Sequence, residues 1–247
     1  MNKITNARQL PIISLAVFLS TSFQPIRAQD TILNKYGLWV IDKAAILQKT
    51  VAHNPAKAML NLRVAVPGIV LDLRYASANN FLHTPLYGKT TTTYLRKPAA
   101  LALANVQAAL KPKGLGLKIY DAYRPYSATE KIWVPVQDER YASNPAKGSG
   151  HNRGTAVDLT LIQLATGKEL PMGTGFDNFS DTAHHGFAYL PPTVLQNRLL
   201  LKGLMEANGF KALDTEWWHY SLPDARNYEL LDIDFAVLDA MGKQRRR

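Results

Sequence analysis

The stretch "GSGHNRGTAVDLTL", residues 148–161, sets His151 seven positions ahead of Asp158, with small residues between them and an apolar run after. Farther along, "EWWHY" sets Glu216 three positions ahead of His219. A catalytic zinc commonly takes three protein ligands and leaves a fourth position for water, and imidazole and carboxylate suit it. His151, Asp158 and His219 would supply two nitrogens and one oxygen. Zinc lowers the pKa of its water to roughly 7, which gives a nucleophile at neutral pH. A carboxylate beside that water can take its proton and hand it to a leaving amine. Glu216 is the candidate for that work. Arg124, in "DAYRP", would place a fixed cation near the oxyanion of a tetrahedral intermediate.

Each residue taken singly also has an ordinary reading. A histidine at a strand start is commonly a hydrogen-bonded surface or core residue. Asp158 could close a turn, and the two tryptophans before His219 could be plain core with Glu216 on a solvated edge. The HExxH pattern of many zinc proteases is absent. Spacing alone leaves both readings open.

The elements that must position these residues are legible in outline. "KAAILQKTVAH" reads as a helix within a partly helical stretch over 29–65. "GIVLDLRYA" (68–76) reads as a strand, and "KPAALALANVQAALKPKG" (97–114) as a helix with Pro98 in its first turn and Gly114 beyond its end. "LGLKIYDAYRP" (115–125) is a strand stopped by Pro125. Ser127 and Glu130 have capping-box spacing, which predicts a helix start. Residues 155–164 and 216–222 read as strands and 193–210 as a helix, with a polar loop over 138–150 and a long functional loop over 165–192. On the strand at 156–161, Asp158 and Thr160 share one face; Trp217 and His219 share a face of theirs. Gly148, Gly150 and Gly154 allow tight turning around His151, and the chain beyond residue 222 reads as a frayed, solvated tail. Mixed helices and strands without strict alternation predict an α+β fold with a central antiparallel sheet flanked by helices.

Composition excludes several classes. The chain has 247 residues, an ordinary 47% apolar fraction and no cysteine, so disulfides, thiolate metal sites and cysteine nucleophiles are out. Much of its formal charge of +10 sits at the ends, with Lys3, Arg8 and Arg27 at one and Lys243 and Arg245 to Arg247 at the other, and the body between is mildly basic. No basic stripe with interleaved aromatics crosses the body, which argues against a nucleic-acid partner. Lys3 and Arg8, the short apolar run "LPIISLAVFLSTSF" and Ala28 read as an export signal over 1–28. The expectation is an exported protein, in the periplasm of a Gram-negative cell, with no integral membrane segment once the signal is removed. The sequence leaves the oligomeric state open.

"SGHNRGTAVD" resembles the SxHxxGxAxD signature of D-Ala-D-Ala metallopeptidases, and "EWWHY" resembles their ExxH signature. With "LDLRYASANNF", "DAYRP", "MGTGFDNF" and "HHG" in the same order, the chain from about 66 to 222 is similar to the D-alanyl-D-alanine dipeptidases, zinc enzymes known from vancomycin resistance and from housekeeping relatives. The resemblance implies the zinc D-Ala-D-Ala peptidase, or hedgehog-like, fold over 66–240, behind an N-terminal extension (29–65) and ahead of a basic tail (241–247). It implies one zinc per chain on His151, Asp158 and His219, with Glu216 as general base and acid and Arg124 steadying the transition state. It also implies that Ser149 holds the substrate carboxylate, Asp177 receives the free amine and Tyr75 lines the pocket. The implied reaction is hydrolysis of D-alanyl-D-alanine, a small-molecule dipeptide, in peptidoglycan fragment turnover. The alternatives are a D,D-carboxypeptidase or endopeptidase acting on stem peptides, and a silent module that binds cell-wall peptides.

Overall fold

In the computed structural model, which describes residues 32–244, the chain enters through two short strands, β1 (Ile32–Leu33) and β2 (Trp39–Ile41), and then α1 (Ala44–His53). Next come β3 (Met59–Asn61), the single-turn α2 (Leu62–Ala65), β4 (Val70–Leu71), β5 (Tyr94–Arg96) and α3 (Lys97–Leu110). The middle holds β6 (Leu115–Asp121), α4 (Tyr126–Val136), the single-turn α5 (Gly150–Arg153) and β7 (Ala156–Gln163). The last third holds α6 (Pro192–Ala207), β8 (Lys211–Leu213), β9 (Glu216–Ser221), β10 (Leu230–Leu231) and α7 (Phe235–Gln244). The residues proposed for the signal, 1–28, and the last three arginines lie outside the described residues.

Five strands make the central sheet, in the order β4-β6-β7-β9-β8. Its pairs are antiparallel except at one edge, where β4 runs parallel to β6. β7 is buried from Ala156 to Ile162. Val157, Leu159 and Leu161 pack in one core with Leu103, Val106 and Leu110 of α3 and Leu201 and Met205 of α6. Both helices carry their apolar residues at three- and four-residue spacing, so one stripe of each faces the sheet. The alternate face of β7 is thereby left for Asp158 and Thr160. The α+β expectation and the helix-flanked sheet are observed.

A second core is built from the two ends of the described chain. Ile41, Ile46, Leu47 and Val51 pack with Leu231, Ile233, Phe235 and Leu238 around Tyr94 and Tyr123. β2 joins the ends directly, pairing antiparallel with β1 and parallel with β10. The Tyr123 hydroxyl donates to the Ile233 carbonyl and accepts from the Ile233 N–H, both at 2.9 Å.

Four local expectations change. The stretch from 32 to 65 contains α1, but also three strands and the turn α2. The tail beyond 222 is not frayed: β10 and α7 are ordered because their apolar residues meet α1 and β2, contacts that local periodicity does not reveal. The strand over 68–76 shrinks to β4, and a 3-10 turn at 74–76 swings Tyr75 inward. The Ser127–Glu130 capping box does not form. α4 starts at Tyr126, and Ser127 instead binds Asp232 Oδ1 through its N–H (3.0 Å) and hydroxyl (2.8 Å), while Glu130 pairs with Lys35.

Candidate active site

Cross-strand register assembles the centre. Asp121 of β6 sits opposite Asp158 of β7, and Asp158 sits opposite His219 of β9, so three residues far apart in sequence form one row across the sheet. A register shift between Ile119 and Asp121 brings Asp121 into that row. His151 arrives from a different element. It was expected at a strand start, but it rides on α5, capped by Ser149 and Asn152 in a reciprocal box. Gly154 ends that turn at φ +68°, and a Cβ there would lie 2.7 Å from Met59 Cε. The turn is therefore held tightly against β3 and β5, and the Gly154 carbonyl accepts the Arg96 N–H at 2.7 Å.

His151 is 2% exposed, and its Nδ1 lies 2.7 Å from the Ala122 carbonyl oxygen. A carbonyl only accepts, so Nδ1 carries a proton, and the neutral ring then turns its Nε2 lone pair toward the centre, as metal ligation requires. That Nε2 lies 3.2 Å from His219 Nδ1 and 3.3 Å from Asp158 Oδ2, and His219 Nδ1 lies 2.9 Å from Asp158 Oδ1. The imidazoles beside Asp158 hold its carboxyl low against the opposing effect of burial, so it is ionised. His151, Asp158 and His219 thus converge two nitrogens and a carboxylate on one point, a donor set that fits a divalent metal.

Glu216 stands at the mouth of β9, its Oε2 3.9 Å from His219 Nδ1. Burial and the Asp158 charge push its carboxyl up to about 7, although His219 and Arg124 pull the other way. A carboxyl poised there can exchange a proton near neutral pH. Arg124, 6% exposed, is clamped by Asp121 Oδ2 through Nε and Nη2, both at 2.8 Å, and its Nη2 reaches to 3.9 Å from Asp158. Burial opposes its charge, but Asp121, Tyr75 and Asp158 outweigh that and keep it a fixed cation.

Tyr75 and Asp177 meet although 102 residues separate them. The Tyr75 hydroxyl donates to both Asp177 oxygens, at 3.0 and 3.1 Å, and Arg124 lies over the Tyr75 ring at 4.7 Å. Burial, with Asp158 adding to it, raises the Asp177 carboxyl well above its usual range, although the Tyr75 hydrogen bond and the Arg124 charge pull the other way. Ser149 lines the same cavity, while its hydroxyl also accepts the Asn152 N–H at 3.2 Å. All eight residues singled out in the sequence border one cavity of about 510 Å³. That size suits a small molecule.

Sequence reasoning missed three contributors. Asp121, wholly buried, holds Arg124, lies 3.6 Å from His151 Nδ1 and accepts the Tyr87 hydroxyl at 3.1 Å. Its signal was present in "DAYRP", three residues before Arg124. Asn152 reaches from the His151 turn to the Arg124 carbonyl (3.0 Å) and Thr129 (2.8 Å). The polar loop over 138–150 carries no site signal in the sequence, yet its Glu139, Arg140, Tyr141 and Ser143 form part of the cavity wall.

A His–Asp–His centre beside a carboxyl and a clamped arginine, on one face of a helix-backed antiparallel sheet, defines the class as a metal-dependent hydrolase. The family described as D-ala-D-ala dipeptidase matches residues 55–238, and the chain belongs to that family of metallopeptidases. The D-alanyl-D-alanine dipeptidase of Escherichia coli (strain K12) is 38% identical over 186 residues, covering 75% of this chain and 95% of the relative. The one from Enterococcus faecalis is 34% identical over 189 residues, covering 69% of this chain and 93% of the relative. Among solved structures, the LdcB LD-carboxypeptidase is a distant likeness, with 17% identity, a TM-score of 0.39 and coverage of 74% of this chain and 73% of that one. No helix among the described residues is long and apolar enough to cross a membrane.

Proposed function

We propose that this protein is a zinc-dependent dipeptidase that hydrolyses D-alanyl-D-alanine to two D-alanines. Its place among the D-ala-D-ala dipeptidases supports the reaction. The observation that carries the substrate is the Tyr75–Asp177 pair, a buried carboxylate on the wall of the same cavity as the metal donors. A free α-amine is what separates a dipeptide from the end of a longer chain, and a buried ammonium needs such a partner.

His151, Asp158 and His219 would hold the metal, their nitrogen and oxygen donors favouring zinc. A zinc ion there supplies Lewis acidity, polarising the scissile carbonyl and acidifying water. Glu216 takes the proton of the attacking water on its carboxylate and returns it to the leaving nitrogen, so the C–N bond breaks as the amine becomes neutral. The Arg124 guanidinium, held still by Asp121, faces the developing oxyanion. Asp177 and Tyr75 receive the ammonium end, and Ser149, beside His151, receives the carboxylate end.

We also place residues 1–28 as an export signal, 29–65 as an N-terminal extension to the catalytic domain at 66–240, and 241–247 as a basic tail. The charged and apolar leader supports export to the periplasm and a role in peptidoglycan fragment turnover, away from the cytoplasmic dipeptide pool used in wall synthesis. Recovery of an unprocessed protein from the cytoplasmic fraction would refute that placement.

The deciding experiment measures D-alanine release from D-Ala-D-Ala and from N-acetyl-D-Ala-D-Ala, each with and without chelator. The expected result is release from the free dipeptide, abolished by chelator and restored by zinc. Cleavage of the blocked peptide alone makes the protein a D,D-carboxypeptidase. No cleavage of either substrate by the metal-loaded protein makes it a binding module.

A further inference from the structure

The loop that carries Asp177 is held by aromatic rings on both sides. Phe176 turns inward, with ring centroids 4.9 Å from Tyr120, 5.6 Å from Trp218 and 5.9 Å from Tyr75. Phe179 lies on the other side of Asp177. Its ring meets Phe81 edge-on at 5.1 Å and Tyr141 at 4.9 Å. The three rings come from three separate loops, and all three are half-buried. Between these anchors Asp177 takes the left-handed backbone, φ +57°, a conformation aspartate accepts more readily than most residues.

Tyr141 also belongs to the cavity wall. Its loop is secured at the base, where the Tyr126 hydroxyl donates to the Pro145 carbonyl at 2.7 Å. The loop's ion pairs, Arg140–Asp138 and Lys147–Glu139, stay within the loop itself. The Tyr141–Phe179 contact ties this wall to the Asp177 loop, alongside the attraction between Arg140 and Asp181, and aromatic pairs at that separation attract beyond their burial.

We infer that Phe81, Phe179 and Tyr141 form a specificity clasp that holds Asp177 against the Tyr75 hydroxyl and closes the amine end of the cavity against acylated substrates. The inference rests on the dipeptidase reading and adds the residues that enforce it. An N-acyl group replaces the ammonium by an amide, so it leaves Asp177 without its cation. It also needs room where the loop carrying Tyr141 closes on Phe179. Both effects act on the choice of substrate, and neither touches the proton transfers. Phe179 and Tyr141 are therefore positioning residues whose loss changes KM and preference before it changes kcat.

The test compares kcat and KM for D-Ala-D-Ala and N-acetyl-D-Ala-D-Ala in the zinc-loaded wild type and in Phe179→Ala, Tyr141→Ala and Tyr141→Phe, with a melting curve for each. Phe179→Ala is expected to raise KM for the free dipeptide about tenfold, keep kcat within about threefold and narrow the free-to-acyl preference about tenfold or more. Tyr141→Ala narrows the preference in the same direction. Tyr141→Phe keeps the ring and behaves as wild type. An unchanged preference in the alanine variants, whatever happens to kcat, overturns the clasp. So does a Tyr141→Phe variant as altered as Tyr141→Ala, since the hydroxyl would then be at work and not the ring. If Phe179→Ala does not fold, Tyr141→Ala, at the rim, decides. A wild type that turns over only the acylated substrate, or neither, overturns the dipeptidase reading and the clasp with it. An active, free-dipeptide-selective wild type with unaltered variants overturns the clasp alone.

Discussion

Replacing Asp121 by asparagine removes one charge and almost no volume from a wholly buried position. Tyr87 keeps an acceptor for its hydroxyl, so the loss falls on Arg124 and His151. Arg124 makes two contacts of 2.8 Å to the lost carboxylate oxygen, and Asp158 is the other carboxylate at ion-pair distance, 3.9 Å. Two unit charges about 4 Å apart attract by about 4 kcal/mol at an effective dielectric near 20, and breaking a buried pair from one side costs about 3–5 kcal/mol. Urea unfolding of the metal-loaded variant should therefore show a loss in that range. The guanidinium should also swing toward Asp158, away from the oxyanion and into competition with the metal for that carboxylate. The expected fall in kcat is about 10²–10³, the usual effect of losing a positioned oxyanion group. Metal content, measured alongside by equilibrium dialysis, separates displaced arginine from lost ion. A loss below about 1 kcal/mol, with kcat within about threefold of wild type, would refute the view of Asp121 as the keeper of Arg124.

Two further outcomes are expected. Glu216→Gln should cut turnover by about 10²–10⁴ while metal binding by dialysis stays near wild type; retained turnover would move the base elsewhere. His185 is lowered from 6.5 to about 4 by burial, with Lys202 and Arg198 adding to the effect. The unfolded chain then takes up a proton that the folded one refuses, so this contribution to stability is full above about 6.5 and is lost as pH falls toward 4. Urea midpoints at pH 7.5 and 5 should differ less in His185→Gln than in wild type; equal differences would rule this residue out as a source of acid sensitivity.

The donors of the metal centre were legible because each lies in a short, self-contained pattern. His151 stands seven positions ahead of Asp158 and Glu216 three positions ahead of His219, and strand alternation places Asp158 beside Thr160 on one face. The helices at 97–110 and 192–207 were legible for the same reason, since an amphipathic stripe repeats locally. The second core was not. Phe235 and Leu238 look like tail residues until Ile46 and Leu47, nearly two hundred positions earlier, come up against them. The Ser127 cap failed likewise, because Asp232 offers that hydroxyl a partner from outside the helix.

By itself the sequence determined which atoms could bind metal and move protons, because side-chain chemistry is a property of the residue and the signature spacings are local. Only the tertiary structure decided which of them act together. Antiparallel register placed Asp121, Asp158 and His219 in one row, and the Ala122 carbonyl chose the tautomer of His151. Burial raised Glu216 and Asp177 out of the ordinary carboxylate range, and the inward turn at 74–76 carried Tyr75 to a carboxylate 102 residues away. Those are effects of distance and desolvation, and neither exists until the chain has closed on itself.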